Sequence, residues 1–391
     1  MTSGNELDTS AQSPAEHWLA PDRLFDGRSI IGGQAVLISG ERISAVLPES
    51  EAVRHGAPIW RTPGVLAPGY FDIQINGGGG VLFNDSPTVE GLAAIGETHR
   101  RLGTTSWMPT LITDTVEKME RAGEATLDAR GRFGVVGLHY EGPHISKVRK
   151  GTHKESLIRP IDERSFALFE LLRERGLTLM VTLAPECNPP GTISRLVKMG
   201  VVVSIGHSAA DAANVHAALA EGATAFTHLH NAMTPMTSRE PGVVGAALDS
   251  DAYCGFIADC HHVAAETLRV SIRARKSPGR MVVVSDAMPT VGGPDTFQLY
   301  GETIRVADGV LVNPAGSLAG AHIDMQQSVC ILVTRVGIAP ESALRMATSA
   351  PADLLGLSPG VGSIQSGAQA NLILLSDSYG VRSVILNGSA L

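Results

Sequence analysis

Residues 201–230 read VVVSIGHSAADAANVHAALAEGATAFTHLH and contain one complete strand–helix–strand unit. The apolar runs 201–205 and 223–227 are predicted strands, and the stretch 211–221 between them is helix-like. The same rhythm recurs along the middle of the chain, where further apolar runs lie at 70–75, 104–112, 135–140, 177–183, 253–258 and 281–284. Strands that alternate with helices in this number are typical of a (β/α)8 barrel, a TIM-type α/β fold.

The two ends of the chain have a different pattern. Residues 34–47 (QAVLISGERISAVL) place two apolar stretches around a Ser-Gly-Glu turn, which predicts a β-hairpin. Residues 370–376 and 381–387 predict two more short strands. We therefore expect a small β domain built from both termini, with this division of the chain: a flexible leader at 1–20, the β domain at 21–66 plus 359–391, and the barrel at 67–358.

Composition excludes several classes of function. Hydrophobic residues make up 43% and charged residues 18% of the 391 residues, which is typical of a globular protein. The net charge is −8 and no dense basic stripe is present, so a nucleic-acid binder is disfavoured. No apolar run is long enough for a membrane span, and the N-terminus lacks the features of a secretory signal. Four cysteines without CxxC spacing predict free thiols in a cytoplasmic protein.

Polar residues follow the predicted strands, at the end of a barrel where active sites lie. Any one of them could be an ordinary loop-facing group, but a histidine or an acid follows six of the eight strands. In chain order, the residues at the strand ends are Gln74 and Asn76, Thr113, Glu141, Glu186, His207, His228, Asp259 and His262, and Asp286.

Four of these residues form a chemically coherent set. Glu141, His207 and His228 supply one carboxylate and two imidazoles, a three-ligand set for Zn²⁺ or a similar divalent metal that leaves a position open for water. Asp286 is then the expected general base. Each histidine alone is more often a satisfied polar residue than a ligand, so the prediction depends on the shared strand-end register.

Seven segments, APGYFDIQING, HYEGPH, GHS, THLHNAM, REPG, IADCHHV and SDAMP, resemble in this order the amidohydrolase superfamily. Within it they resemble the family of N-acetylglucosamine-6-phosphate deacetylases, from about residue 25 to the C-terminus. The resemblance implies a distorted (β/α)8 barrel with a β-sandwich formed by both termini. It also implies hydrolysis of the acetamide of N-acetylglucosamine 6-phosphate to glucosamine 6-phosphate and acetate, in amino-sugar catabolism and cell-wall recycling.

The resemblance implies roles for individual residues. Glu141, His207 and His228 match the metal ligands, Asp286 matches the catalytic acid/base, and His153 matches the group that polarises the substrate carbonyl. The positions expected to contact the sugar phosphate are Thr152, His153, Asn231, Ala232, Arg239, His262, Leu318, Ala319 and Gly320. In the family a homodimer shares the phosphate site, so either Arg239 or His262 is expected from the partner subunit.

One departure from the wider superfamily concerns the number of metals. Many members carry His-x-His after the first strand, where this chain has Gln74-Ile75-Asn76. Amides are poor zinc ligands compared with imidazole, so we predict one divalent metal per subunit and a lining role for Gln74 and Asn76. Zn²⁺ is the expected metal, with Fe²⁺, Co²⁺ or Mn²⁺ as alternatives.

Two other functions remain open from the sequence. An amidohydrolase could act on another amide or a cyclic ureide, although Arg239 with His262 favours a phosphorylated substrate. A barrel that only binds a partner would be expected to lack one of Glu141, His207, His228 and Asp286, and none is missing.

The two residues expected at the phosphate have alternatives of their own. Arg239 could instead be a solvated surface charge, and His261 competes with His262 for the same role.

Overall fold

The computed structural model describes residues 16–391. The predicted leader at 1–20 is too long, because the first strand, Glu16–Phe25, begins within it. Trp18 and Leu19 are 0% and 1% exposed, and burial of these apolar side chains explains why the strand starts so early. Residues 1–15 of the predicted leader lie outside the described residues.

Eight parallel strands form the barrel, and the predicted fold is confirmed. They pair in chain order from the first to the eighth. The barrel closes between the end of the first strand and the residues that follow the eighth. The Asp286 amide donates to the Gln74 carbonyl at 3.0 Å, and a parallel bridge joins Ile75 to Ala287. The strands are Tyr70–Ile75, Thr104–Ile112, Leu138–Glu141, Leu179–Leu183, Val202–Ile205, Ala225–Phe226, Tyr253–Phe256 and Met281–Val283.

The α-helices between and after these strands pack around the barrel. Several start at a side chain that accepts a backbone N–H, as Asp211 does from Asn214, which satisfies a free donor of the first turn. These α-helices are Val89–Arg101, Val116–Ala129, Glu163–Glu174, Thr192–Lys198, Ala212–Ala220, Gly242–Leu248, Ala265–Ala274, Met325–Ile331, Pro340–Met346 and Ser349–Leu354. One further short helix, Glu49–Ala52, precedes the barrel, and its Ala52 packs with Trp18. A π-helical turn, Leu332–Val336, continues one of them, and 3-10 turns lie at Lys147–Arg149, Glu155–Leu157, Pro185–Cys187 and Pro278–Arg280.

Both chain ends build one eight-stranded sheet, as expected from their patterns. Its pairs are antiparallel except that Glu16–Phe25 runs parallel to Ile59–Pro68. The sheet curves over its own core, because Ile43 and Ile385 from opposite ends lie in one apolar cluster. The predicted boundary between residues 66 and 67 falls inside the strand Ile59–Pro68. The remaining strands are Ile30–Gly32, Gln34–Ser39, Arg42–Pro48, Leu372–Leu375, Val381–Leu386 and Ser389–Ala390.

Two small antiparallel sheets were not predicted. Gly77–Gly78 pairs with Val81–Leu82, and Thr296–Leu299, Glu302–Ala307 and Val310–Val312 form a three-stranded sheet after the eighth barrel strand. The three-stranded sheet packs on apolar residues at or beyond the ends of barrel strands, through the cluster Leu82, Ile112, Met288, Leu299, Ile304, Leu311 and Ala319. Within residues 16–391, every helix is too short or too polar to span a bilayer.

Candidate active site

The four chemical residues lie at the carboxyl end of the barrel, and the structure brings them together. Glu141 is the last residue of the third strand and is 2% exposed. His207, His228 and Asp286 follow the fifth, sixth and eighth strands, with φ angles of 49°, 33° and 51°. This left-handed backbone is unfavourable for residues with a Cβ, by roughly 1–2 kcal/mol each. Strain of this kind is characteristic of functional sites.

Glu141, His207 and His228 converge on one point. Oε1 of Glu141 lies 3.1 Å from Nε2 of His207 and 2.9 Å from Nε2 of His228, and the two Nε2 atoms are 3.0 Å apart. Nδ1 of His207 donates to the carbonyl of Arg149 at 2.8 Å, which leaves Nε2 with a lone pair. One oxygen and two imidazole nitrogens at this spacing are a donor set that fits a divalent metal.

Asp286 lies beside this group and accepts two side-chain amides. Its Oδ1 is 2.6 Å from Nδ2 of Asn76 and 3.2 Å from Nε2 of Gln74, and Gln74 also donates to Oε2 of Glu141 at 3.1 Å. Burial, together with the negative charge of Glu141, raises the pKa of Asp286 from 3.8 to about 7. A carboxylate with such a pKa can both take and return a proton near neutral pH.

The pKa of Glu141 is shifted in the opposite direction to that of Asp286. Burial would raise the pKa of this carboxyl, but the close contacts with the imidazoles of His207 and His228 hold the pKa well below its usual value. Glu141 is therefore the more acidic of the two carboxyls, whereas Asp286 has a pKa of about 7. Two carboxyls whose environments move their pKa values apart are typical of acid–base sites.

His153 packs against the Glu141–His207–His228 group, with its ring centroid 4.4 Å from that of His207. It is 3% exposed, and burial, with the charge of His207, lowers its pKa well below the usual value, so the ring is neutral. Its Nδ1 lies 2.6 Å from Oγ1 of Thr113. Thr152, the preceding residue, is half-buried.

His262 and His261 differ clearly in the structure. Nδ1 of His262 bonds Oδ2 of Asp259 at 2.6 Å, whereas His261 is exposed. The second oxygen of Asp259 accepts the backbone amides of both histidines at 2.8 Å. Asp259 thus orients His262, a role that its position after the seventh strand did not by itself indicate.

Arg239 is not joined to this group within one chain. It lies exposed in the loop before the helix Gly242–Leu248, and among residues 16–391 it forms no ion pair or hydrogen bond. Glu240, the next residue, holds the loop by accepting the amides of Ala212 and Gly242 at 3.0 Å and 2.9 Å.

Two further segments of the predicted site follow the barrel strands. The side chain of Asn231 donates to the carbonyl of His228 at 3.2 Å, and Ala232 accepts the amide of Ser208 at 3.1 Å. Leu318 is 37% exposed and Ala319 is buried. Gly320 has a φ of 72°, and a Cβ there would lie 2.5 Å from Met288, so only glycine fits.

Asp72, a fully buried acid in the first strand, was not predicted as a site residue. Its carboxylate accepts the amides of Gln74 at 3.0 Å and Ser285 at 3.2 Å, and so links the first strand to the residue before Asp286. Burial raises its pKa to about 7, although the hydrogen bonds from Ser285 and Gln74 act to lower it. An acid inside the apolar run GYFDIQI was the available signal.

Comparison with known proteins agrees with this geometry. Residues 65–391 match the amidohydrolase family model. The chain is 40% identical to the N-acetylgalactosamine-6-phosphate deacetylase of Shewanella sp. over 84% of each chain. It is 36% identical to the N-acetylglucosamine-6-phosphate deacetylase of Haemophilus influenzae over 93% of this chain and 96% of that protein.

A solved structure extends the likeness to the whole fold. The N-acetylglucosamine-6-phosphate deacetylase of Pasteurella multocida superposes with a TM-score of 0.90 and 34% identity, over 96% of this chain and 99% of that one. The resemblance inferred from the motifs is thereby confirmed. With a matching family model over residues 65–391 and a buried Glu-His-His group at the strand ends, the chain belongs to the amidohydrolase family.

Proposed function

We propose that this enzyme hydrolyses the acetamide of N-acetyl-D-glucosamine 6-phosphate to D-glucosamine 6-phosphate and acetate. The observation that carries the proposal is the buried Glu141–His207–His228 group beside Asp286, in a chain similar to deacetylases of phosphorylated N-acetyl sugars over most of its length. Deacetylation of this kind breaks the amide C–N bond and adds water across it.

Glu141, His207 and His228 would hold one divalent cation per subunit, which we propose to be Zn²⁺. When bound, the cation supplies Lewis acidity that activates water and polarises the amide carbonyl. A single cation is supported by Gln74 and Asn76, whose amide N–H groups point at the carboxylates of Glu141 and Asp286. Side chains that donate hydrogen bonds in this way are not arranged to ligate a second metal.

Asp286 is the proposed proton carrier. It takes a proton from the attacking water and later gives it to the departing amine, so the amine leaves neutral. The amides of Gln74 and Asn76 hold its Oδ1 in place for both transfers. His153 would donate from Nε2 to the acetyl oxygen as negative charge develops there.

The phosphate is the proposed handle for positioning. His262, oriented by Asp259, and Arg239 would bind it, and Thr152, Asn231, Ala232 and the loop Leu318–Gly320 would contact the sugar. His262 follows the seventh strand and is held by Asp259 of the same chain, which supports a role within its own subunit. Exposed Arg239 is then the better candidate for reaching the partner subunit of a homodimer.

The sugar could instead be the C4 epimer. The 40% identity to the Shewanella N-acetylgalactosamine-6-phosphate deacetylase favours this second candidate, and the chemistry at the acetamide would be the same. We also place the enzyme in the cytoplasm, a proposal supported by its four free cysteines.

Acetate release from purified protein of known metal content tests the function. The substrates are N-acetylglucosamine 6-phosphate, its galactosamine epimer and unphosphorylated N-acetylglucosamine, with Asp286→Asn protein as the control for contaminating activity. Release from the first substrate at the highest kcat/KM supports the proposal, and a preference for the epimer supports the second candidate. No release from either phosphorylated sugar by metal-loaded protein would refute both.

A further inference from the structure

Two neighbouring buried imidazoles have opposite partners at Nδ1. Nδ1 of His207 faces the carbonyl of Arg149 at 2.8 Å, which can only accept a hydrogen bond. Nδ1 of His153 faces the backbone amide of Thr113 at 3.4 Å and its hydroxyl at 2.6 Å. The rings lie only 4.4 Å apart, so the two histidines differ in their hydrogen-bond partners and not in their location.

These contacts decide which ring nitrogen carries the proton in the neutral form of each imidazole. A backbone N–H is only a donor, so Nδ1 of His153 must be the unprotonated nitrogen and the proton is on Nε2. The hydroxyl of Thr113, next to the same lone pair, must then donate as well. His207 has the reverse arrangement, with its proton on Nδ1 and its lone pair on Nε2.

We propose that Thr113 is a positioning residue that holds His153 in the Nε2–H form, so that His153 donates to the ligand carbonyl and does not compete as a metal ligand. The role of His153 at the carbonyl rests on the proposed function, whereas its tautomer is a property of the folded chain. The nitrogen that a histidine presents to a site is commonly set by the hydrogen bond at its other nitrogen.

Thr113 is itself held from two sides. It is fully buried and follows the strand Thr104–Ile112. A Cβ on Gly142, which has a φ of 80°, would lie 2.3 Å from Oγ1 of Thr113, so glycine is needed there for the hydroxyl to keep its place. The hydroxyl of Tyr300 donates to the carbonyl of Thr113.

The Tyr300 contact connects Thr113 to the proposed sugar-binding loop. Tyr300 lies between two strands of the three-stranded sheet, and the third strand of that sheet contains Leu311, whose carbonyl accepts the amide of Ala319 at 3.2 Å. The sheet that carries the Leu318–Gly320 loop thus also fixes the backbone of the residue that orients His153. This arrangement explains why a polar residue at the end of the second strand is buried.

Thr113→Val tests the proposal, because valine keeps the branched shape and removes the hydroxyl. Thr113→Ser keeps the hydroxyl and is the conservative rescue. Thr110→Val is the matched control, since Thr110 lies in the strand that precedes Thr113 and its hydroxyl contacts His139 at 3.3 Å, a buried histidine with no proposed catalytic role. The measurements are kcat and KM, metal content, and ¹⁵N spectra of the histidine rings, with His153 assigned from a His153→Gln sample.

We expect Thr113→Val to lower kcat about tenfold or more at unchanged metal content, and Thr113→Ser and Thr110→Val to remain within about threefold of the parent protein. The parent ¹⁵N spectrum should show His153 protonated at Nε2, and Thr113→Val should shift population toward protonation at Nδ1. Protonation at Nδ1 in the parent protein would overturn the proposal. So would an equal loss of kcat in Thr113→Val and Thr110→Val. If the parent protein released no acetate, the proposed function would fail, while the spectra would still decide the tautomer.

Discussion

Replacing Asp286 with asparagine separates its chemical role from its structural one. Oδ1 of Asp286 accepts hydrogen bonds from Asn76 and Gln74 at 2.6 Å and 3.2 Å. An asparagine oxygen can accept the same two bonds, so the fold and the Glu141–His207–His228 group should be retained. An amide cannot accept the proton at neutral pH, and we expect turnover to fall at least about 10²-fold.

The same substitution should stabilise the metal-free protein in alkaline solution. Burial and the charge of Glu141 raise the pKa of Asp286 from 3.8 to about 7. Between these pH values the folded chain retains a proton that the unfolded chain has lost, so the free energy of unfolding falls as pH rises. The full penalty is reached above the folded pKa, and it corresponds to at most about 4 kcal/mol. Neutral asparagine removes this penalty.

The assay combines metal analysis, acetate release and urea unfolding of the metal-free protein on both sides of neutral pH. We expect Asp286→Asn to be more stable than the parent at alkaline pH, with a difference that shrinks as pH falls through the folded pKa toward the unfolded one. Near-normal turnover of a metal-loaded variant would refute the reasoning and make Glu141 the next candidate base. Equal stability at alkaline pH would show that an ionised Asp286 carries no burial penalty.

Four other predictions concern the metal and the phosphate. His207→Asn should lower metal content and acetate release together, and a variant that kept both would show that His207 is not a ligand. Metal analysis of the parent protein should give about one tightly bound divalent ion per chain, because the amides of Gln74 and Asn76 are poor zinc ligands; a reproducible value near two would contradict this. Arg239→Ala should lose discrimination for the phosphorylated sugar by about 2 kcal/mol or more. Mixing Arg239→Ala and Asp286→Asn subunits should raise activity on the phosphorylated sugar above that of either variant alone through hybrid dimers, and no gain despite subunit exchange would place Arg239 in its own subunit's site.

The barrel and its chemical residues could be predicted from the sequence because both depend on local patterns. Buried parallel strands are short apolar runs, and the residue after each run lies at the same end of the barrel. Once the strands were placed, Glu141, His207, His228 and Asp286 had to converge there. The substitution of Gln74 and Asn76 for a histidine pair was also visible directly.

Tertiary structure alone decided the contacts between distant segments. Thr113 and His153 are 40 residues apart and meet because the second strand and a loop after the third strand share the barrel mouth. The bond from Asp72 to Ser285 depends on closure of the barrel between its first and last strands. No local pattern encodes such pairings, because each is set by which elements pack together.

The same distinction explains the errors in the sequence analysis. Residues 16–20 were assigned to a leader because their pairing partners, in Gln34–Ser39 and Ile59–Pro68, lie farther along the chain. His262 and His261 were equivalent until the bond to Asp259 distinguished them. The sequence by itself thus determined the fold and the kind of chemistry, since periodicity and residue type are local. Only the tertiary structure decided which nitrogen, oxygen or amide faces which, since hydrogen bonding depends on atomic distances between remote segments.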